Sequence, residues 1–168
     1  RELLRQHRMH GDRLWKIEPV LHPLIFAVET DLYLATARLL EEPRRAEGSL
    51  FAFLDFCMKN QANITWKSGQ PPVEVLEKQF NELESRRNTI NAIMGRRDKF
   101  FAHLDKRYFK EPARIYVDYP LEADDVIALV NAVIGVIAEH QWKLKESTAI
   151  SVAEFYTIGV DNMVRNLA

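Results

Sequence analysis

The chain has 168 residues, 47% hydrophobic and 28% charged, with 23 Lys and Arg against 24 Asp and Glu for a formal charge of −1. That length sustains a core without staples, and the composition is that of a soluble globular protein. A total charge near zero excludes a polyanion-binding surface spread over the whole molecule, so a nucleic-acid partner must meet a local patch. The single cysteine, Cys57, excludes an internal disulfide framework and a zinc site built on cysteines. Only six glycines argue against a strand-and-turn-rich architecture. The longest uncharged apolar run, Val126 to Ala138, falls short of the ~18 residues a membrane span needs, so no membrane partner is expected. No signal-peptide pattern opens the chain, and a first residue Arg1 reads as a trimmed or processed product; the expected setting is the reducing cytoplasm.

Apolar residues recur at helical period almost throughout. A first helix is predicted over roughly Arg1 to Ile17. Pro19 suits the first turn of a second, whose stripe runs Leu21, Ile25, Val28, Leu32, Ala35, Leu39 until Pro43 ends it. Gly48-Ser49 opens a third helix, apolar on most sides (Leu50, Phe51, Phe53, Leu54, Phe56, Met58) and therefore central or at an interface. Residues 60–72 form a loop ending in the helix-start signal Pro71-Pro72.

The most regular pattern then runs from Pro72 to about Tyr108: Val73, Leu76, Phe80, Leu83, Arg87, Ile90, Met94, Arg97, Phe101, Leu104, Tyr108. One helix of that length would reach about 54 Å, so a break near Arg87 or Gly95 is anticipated. Pro112 and Pro120 bracket an irregular stretch. Leu121, with Asp124 in a first turn, leads into a very apolar helix to about Lys145, and a last helix spans roughly Val152 to Asn166. No repeat or linker interrupts the chain. The expected fold is a single all-α domain over residues 1–168, an up-and-down bundle of five or six helices.

Arg87 and Arg97 occupy seam positions where the pattern calls for apolar groups. Such an arginine must pair, snorkel to water or bind an anion, because a bare buried charge is very costly. Around them the charge is lopsided. Between Arg86 and Lys110 stand eight basic residues (Arg86, Arg87, Arg96, Arg97, Lys99, Lys106, Arg107, Lys110) and two acidic ones (Asp98, Asp105), a net +6. That is the footprint of a phosphate-binding face, with a solvated basic helix face as its rival.

His103 lies inside the cluster, seven residues beyond Arg96 and so within about 20° of it on a straight helix, with Lys99 one turn before. Nearby cations hold an imidazole neutral, which Asp98 or Asp105 would oppose. A neutral histidine beside fixed cations suits general-base work on a hydroxyl near a phosphate; the bland reading is a structural hydrogen-bonder.

The string Arg97-Asp98-Lys99-Phe100-Phe101-Ala102-His103, within RRDKFFAHLDKRYF, resembles the R-x(4–6)-H motif of the HEPN superfamily, and its AbiU-type abortive-infection branch in particular. The resemblance implies a metal-independent endoribonuclease of a toxin–antitoxin or phage-defence system. HEPN domains commonly dimerise so that two motifs face one another, which implies a homodimer with a composite site acting on RNA. By position, Arg97 would hold the scissile phosphate, His103 would move the proton of a ribose 2′-hydroxyl or of the leaving oxygen, and Asp98 would orient one of these groups. Arg96, Lys99, Lys106 and Arg107 would bind substrate. Arg96 competes with Arg97 as the motif arginine; the following Asp98 and the seam position favour Arg97. Some family toxins carry a tyrosine two residues after the histidine, modified by a nucleotidyltransferase-type antitoxin. Asp105 stands there, and Tyr108 is the nearest tyrosine downstream. No metal and no cofactor is expected.

Other candidates read as structural. His7 and His10 lack further ligands, and the adjacent Glu139 and His140 cannot share a helix face as di-iron ligands do. Cys57 reads as a small core residue and Trp66, beside Lys67, as a plug at a core edge rather than a base-stacking surface. No phosphate-cradling glycine loop is present. The alternative to the nuclease is a noncatalytic helical module binding nucleotide, RNA or a protein through the same basic face; a third reading is a structural bundle whose motif only forms ion pairs.

Overall fold

The computed structural model describes Lys16, residues 19–101, residues 105–144 and Arg165. Apart from Lys16 and Arg165, the predicted terminal helices lie outside the described residues, as do His7, His10 and His103. Among the described residues the elements are all helical, with one isolated bridge pair, Trp66 with Gly69, and no strand. The all-α fold read from the periodicity is the fold observed. By internal contacts the chain forms two compact units, residues 1–32 with 150–168 and residues 33–149. In the first, the described residues are chiefly the opening of α1 (Leu21–Leu39), where Thr30 Oγ1 donates to the Phe26 carbonyl at 2.8 Å.

The second unit carries the site. The end of α1, with Leu40 just past it, contributes a buried face that also includes Tyr33, Thr36 and Ala37. The predicted stripe is displaced here, for Ala35 is exposed and Leu39 only half-buried. Tyr33 takes the inward place because its ring receives the Arg96 guanidinium, 5.7 Å from the centroid.

Helix α2 (Leu50–Lys59) starts where Gly48-Ser49 signalled: Ser49 is the N-cap, its Oγ accepting from the Ala52 amide at 3.2 Å, a cap contributing about 1 kcal/mol. It buries Leu50, Phe51, Leu54 and Cys57, and Phe51 meets Phe80 edge-to-face at 5.5 Å, which fastens it to α3 (Val73–Glu84). Burial pushes the Cys57 thiol above its ordinary pKa, as suits a core residue.

Between them, Trp66 and Gly69 exchange backbone hydrogen bonds of 2.6 and 3.0 Å. Gly69 adopts φ 110°, a region glycine enters without a Cβ clash. This tight turn drives Trp66 to 2% exposure, against the His140 ring at 5.2 Å and beneath Lys143 Nζ at 4.2 Å. Trp66 is a plug, and Lys67 stands instead over the exposed Trp142 ring at 5.5 Å.

The long predicted seam is interrupted near both anticipated places and again at Asp105, whose extended backbone opens the next short helix. Helix α3 closes at Ser85, whose Oγ donates to the Glu82 carbonyl at 2.7 Å; α4 (Arg87–Arg96) follows, and then a π-helical turn over Arg97–Phe101. Two short helices, α5 (Lys106–Lys110) and α6 (Arg114–Asp118), occupy the stretch beyond, so the segment between Pro112 and Pro120 is less irregular than its prolines suggest. Pro112 serves as a helix opener, its carbonyl accepting from the Ile115 amide at 3.3 Å. Helix α7 (Ala123–Leu144) buries Val126, Leu129, Ala132, Val133 and Val136 and packs on α3 and α4, while Ile134 and Ile137 face outward.

Candidate functional site

Two consecutive glutamates just past α1 take the two seam arginines. Arg87 is bound by Glu84 and, at 2.8 Å, by Glu42, with its guanidinium 4.6 Å over the Phe51 ring. Arg97 is bound through Nη1 by Glu41 and through Nε by Asp98 at 2.7 Å. Carboxylates at a helix C-terminal end oppose its dipole unless cations meet them, and here each meets one. The Asp98 hydrogen bond, then Glu41, raises the Arg97 pKa against the opposing effect of burial. Of its five N–H donors, those on Nη2 have no partner among the described residues.

Arg96 is held differently. It is buried, its Nε donates to the Tyr119 carbonyl at 2.9 Å, and its guanidinium lies between the rings of Tyr33 and Tyr116, the latter 5.0 Å away. No carboxylate partners it among the described residues. The adjoining Gly95 permits this: a Cβ there would overlap the Tyr119 ring. Of the two candidate motif arginines, Arg96 is thus the more deeply set and Arg97 the one that reaches solvent, its side chain 17% exposed.

The remaining basic candidates lie outward. Lys99 and Lys106 are exposed. The Lys99 carbonyl accepts from the Asp105 amide at 3.0 Å, which brings the start of α5 back against the π turn. Asp105 then caps α5, accepting from the Arg107 amide at 3.0 Å. Arg107 reaches Asp118 at 3.5 Å. Tyr108, the nearest tyrosine after the motif, is buried and its hydroxyl donates to Asp118 at 2.9 Å. Burial and that bond push the phenol pKa upward, while the bond and the nearby Arg114 and Arg107 hold the Asp118 carboxyl below its usual range. The structure therefore brings Arg97 and Asp98 together and sets Arg96 apart from both in an aromatic box.

Sequence reasoning missed Glu41, Tyr33, Tyr116 and Tyr119. The acidic doublet before Pro43, misplaced for a helix end, was the available signal for Glu41.

Glu139 and His140 are structural, as read. Gln79 Nε2 donates to Glu139 at 2.6 Å, which leaves Gln79 Oε1 to accept from His140 Nε2–H at 2.9 Å. Burial holds the His140 pKa below its ordinary value, Lys143 adding to this and Glu139 opposing it. Among the described residues no three His, Cys, Asp or Glu side chains converge as a metal site requires, and no helix is long and apolar enough to cross a membrane. No curated protein and no solved structure matches the chain. The HEPN family described as AbiU2 matches residues 21–156, taking in the whole of the site above.

Proposed function

This chain belongs to the AbiU2 family of HEPN domains, and from that premise we propose that it is a metal-independent endoribonuclease of a toxin–antitoxin or phage-defence system. The observation that carries the reading is the hold on Arg97. Asp98 and Glu41 fix Nε and Nη1 and leave Nη2 without a partner among the described residues, so the guanidinium is oriented before any substrate arrives. A preoriented donor aimed at a phosphate oxygen stabilises charge as it builds up in the transition state.

In the proposed reaction the ribose 2′-oxygen attacks the adjacent phosphorus and the bond to the 5′-oxygen breaks. His103 of one chain takes the 2′-hydroxyl proton, and a second histidine, supplied by the homodimer, protonates the leaving oxygen. The products are a 2′,3′-cyclic phosphate and a 5′-hydroxyl. Lys99, Lys106 and Arg107 neutralise phosphates of the strand. Cytoplasmic action, and neutralisation by a nucleotidyltransferase-type antitoxin, belong to the same reading. Because Tyr108 is buried and bonded to Asp118, an antitoxin of that kind would need another acceptor.

One observation favours a second reading. Two carboxylates on Arg97 offset its charge, as suits a noncatalytic module that binds RNA, a nucleotide or a protein through its lysines. Mapping the ends of cleaved total RNA separates the two. Cleavage with cyclic-phosphate ends, persisting in EDTA and abolished by His103→Ala with thermal stability and dimer mass unchanged, is the expected result. RNA bound but left intact by the wild-type protein, or cleavage lost in EDTA, overturns the nuclease.

A further inference from the structure

Helix α5 has one buried residue and one outward face. Tyr108 points in, at 3% exposure, whereas Lys106, Phe109 and Lys110, spaced i, i+3, i+4, share the opposite side and are all exposed. Phe109 is 72% exposed, more than any other described aromatic residue. A lone exposed phenyl group is ordinary on a protein surface. What sets this one apart is its surroundings. Phe56, also exposed, sits beside Asp55 and Lys59, which neutralise one another at 2.7 Å. Phe109 is flanked by two lysines that make no ion pair among the described residues.

The short helix that carries the ring is held from beneath. Asp118 accepts from the Tyr108 hydroxyl at 2.9 Å and is reached by Arg107 and Arg114 at 3.5 Å each, which ties α5 to α6. The bond from the Asp105 amide to the Lys99 carbonyl sets α5 beside the turn that carries Arg97. A phenyl ring offered on a fixed support between unpaired cations has the composition of a surface on which a nucleobase stacks while its phosphates are neutralised.

We propose that Lys106, Phe109 and Lys110 form a platform that stacks one unpaired base of an RNA strand and neutralises the phosphates on either side of it. This deepens the ribonuclease reading and rests on it for the identity of the polymer. It narrows the substrate to single-stranded RNA, since a duplex hides the base faces that stacking needs.

The test is binding by the full chain of a short, 5′-labelled 2′-O-methyl oligouridylate, which cannot be cleaved, beside a blunt RNA duplex of equal length. Phe109→Ala is expected to weaken single-strand binding by about five- to a hundredfold, with duplex binding and the salt dependence unchanged. Phe109→Trp is expected to restore binding and to have its fluorescence quenched by the strand. Lys106→Gln and Lys110→Gln should each lower the slope of log affinity against log salt by about 0.7. Unchanged affinity in Phe109→Ala, or an equal loss on the duplex, overturns the platform while leaving the nuclease standing. A wild-type protein that binds no single strand overturns both. A Phe109→Ala variant that binds RNA normally but changes its mass in light scattering assigns the face to a protein contact and overturns the proposal.

Discussion

Arg96 and Arg97 are neighbours in the chain with opposite surroundings. The first is buried in an aromatic box closed by a carbonyl, and the second is held by two carboxylates near the surface. Arg96→Met should therefore lower stability by about 2 kcal/mol in urea unfolding, from the lost charge-assisted hydrogen bond and cation–π contacts. Arg96→Lys should recover little of it, because an ammonium cannot stack between two rings while donating sideways. The sequence already showed that cations crowd this helix and that Asp98 follows one of them. It could not show which arginine is spoken for, since ideal helical spacing from His103 favours Arg96 whereas Asp98 and the seam position favour Arg97. The partners that decide the matter leave no local mark: Glu41 lies 56 residues from Arg97 and Glu42 lies 45 from Arg87. Nor does period alone reveal Tyr33 or Tyr119, which reach Arg96 from other elements.

The α4 element depends on a glycine whose neighbour is a ring. A Cβ at Gly95 would overlap Tyr119, whereas one at Gly135 in α7 would meet nothing within 4 Å. Gly95→Ala should destabilise by about 1–3 kcal/mol through overpacking, and Gly135→Ala should stabilise by about 0.5–1 kcal/mol through helix propensity. Opposite shifts in melting temperature check the pair. At this scale much was legible in the amino-acid order alone: Ser49 as a cap, Pro72 at the head of α3, and the extent of α7 all follow from local chemistry. The breaks in the long seam were readable only as neighbourhoods, because neither Ser85 nor Arg97 disturbs the apolar period as a proline would. The end of α1 departs from its stripe for a related reason, since Tyr33 is chosen by a cation on another helix, whereas Ile25 nearer its start is buried as the stripe expects.

Taken as one cooperative unit, residues 33–149 should respond to pH through His140. Its pKa is depressed in the folded protein, mainly by burial, so the unfolded chain binds a proton first as pH falls below about 6.5. Stability is thus complete above that value and declines on acidification, until the folded imidazole also protonates. Urea midpoints for the wild-type protein should fall between pH 7 and 5.5, and His140→Gln, less stable throughout, should show a flatter dependence over that range. A steeper fall in the variant would remove His140 as the cause. The family assignment spans both compact units, whereas His140 lies in the larger, so the acid sensitivity expected from it belongs to residues 33–149. The π turn at Arg97–Phe101 has its own bearing on how such a chain can change. Its wider loop of hydrogen bonds houses one residue more than an α turn would. Deleting a residue there would turn the chain beyond it by up to about 100° relative to α4, parting Arg96 from the Tyr119 carbonyl. Here an altered letter should be far easier to survive than an altered length.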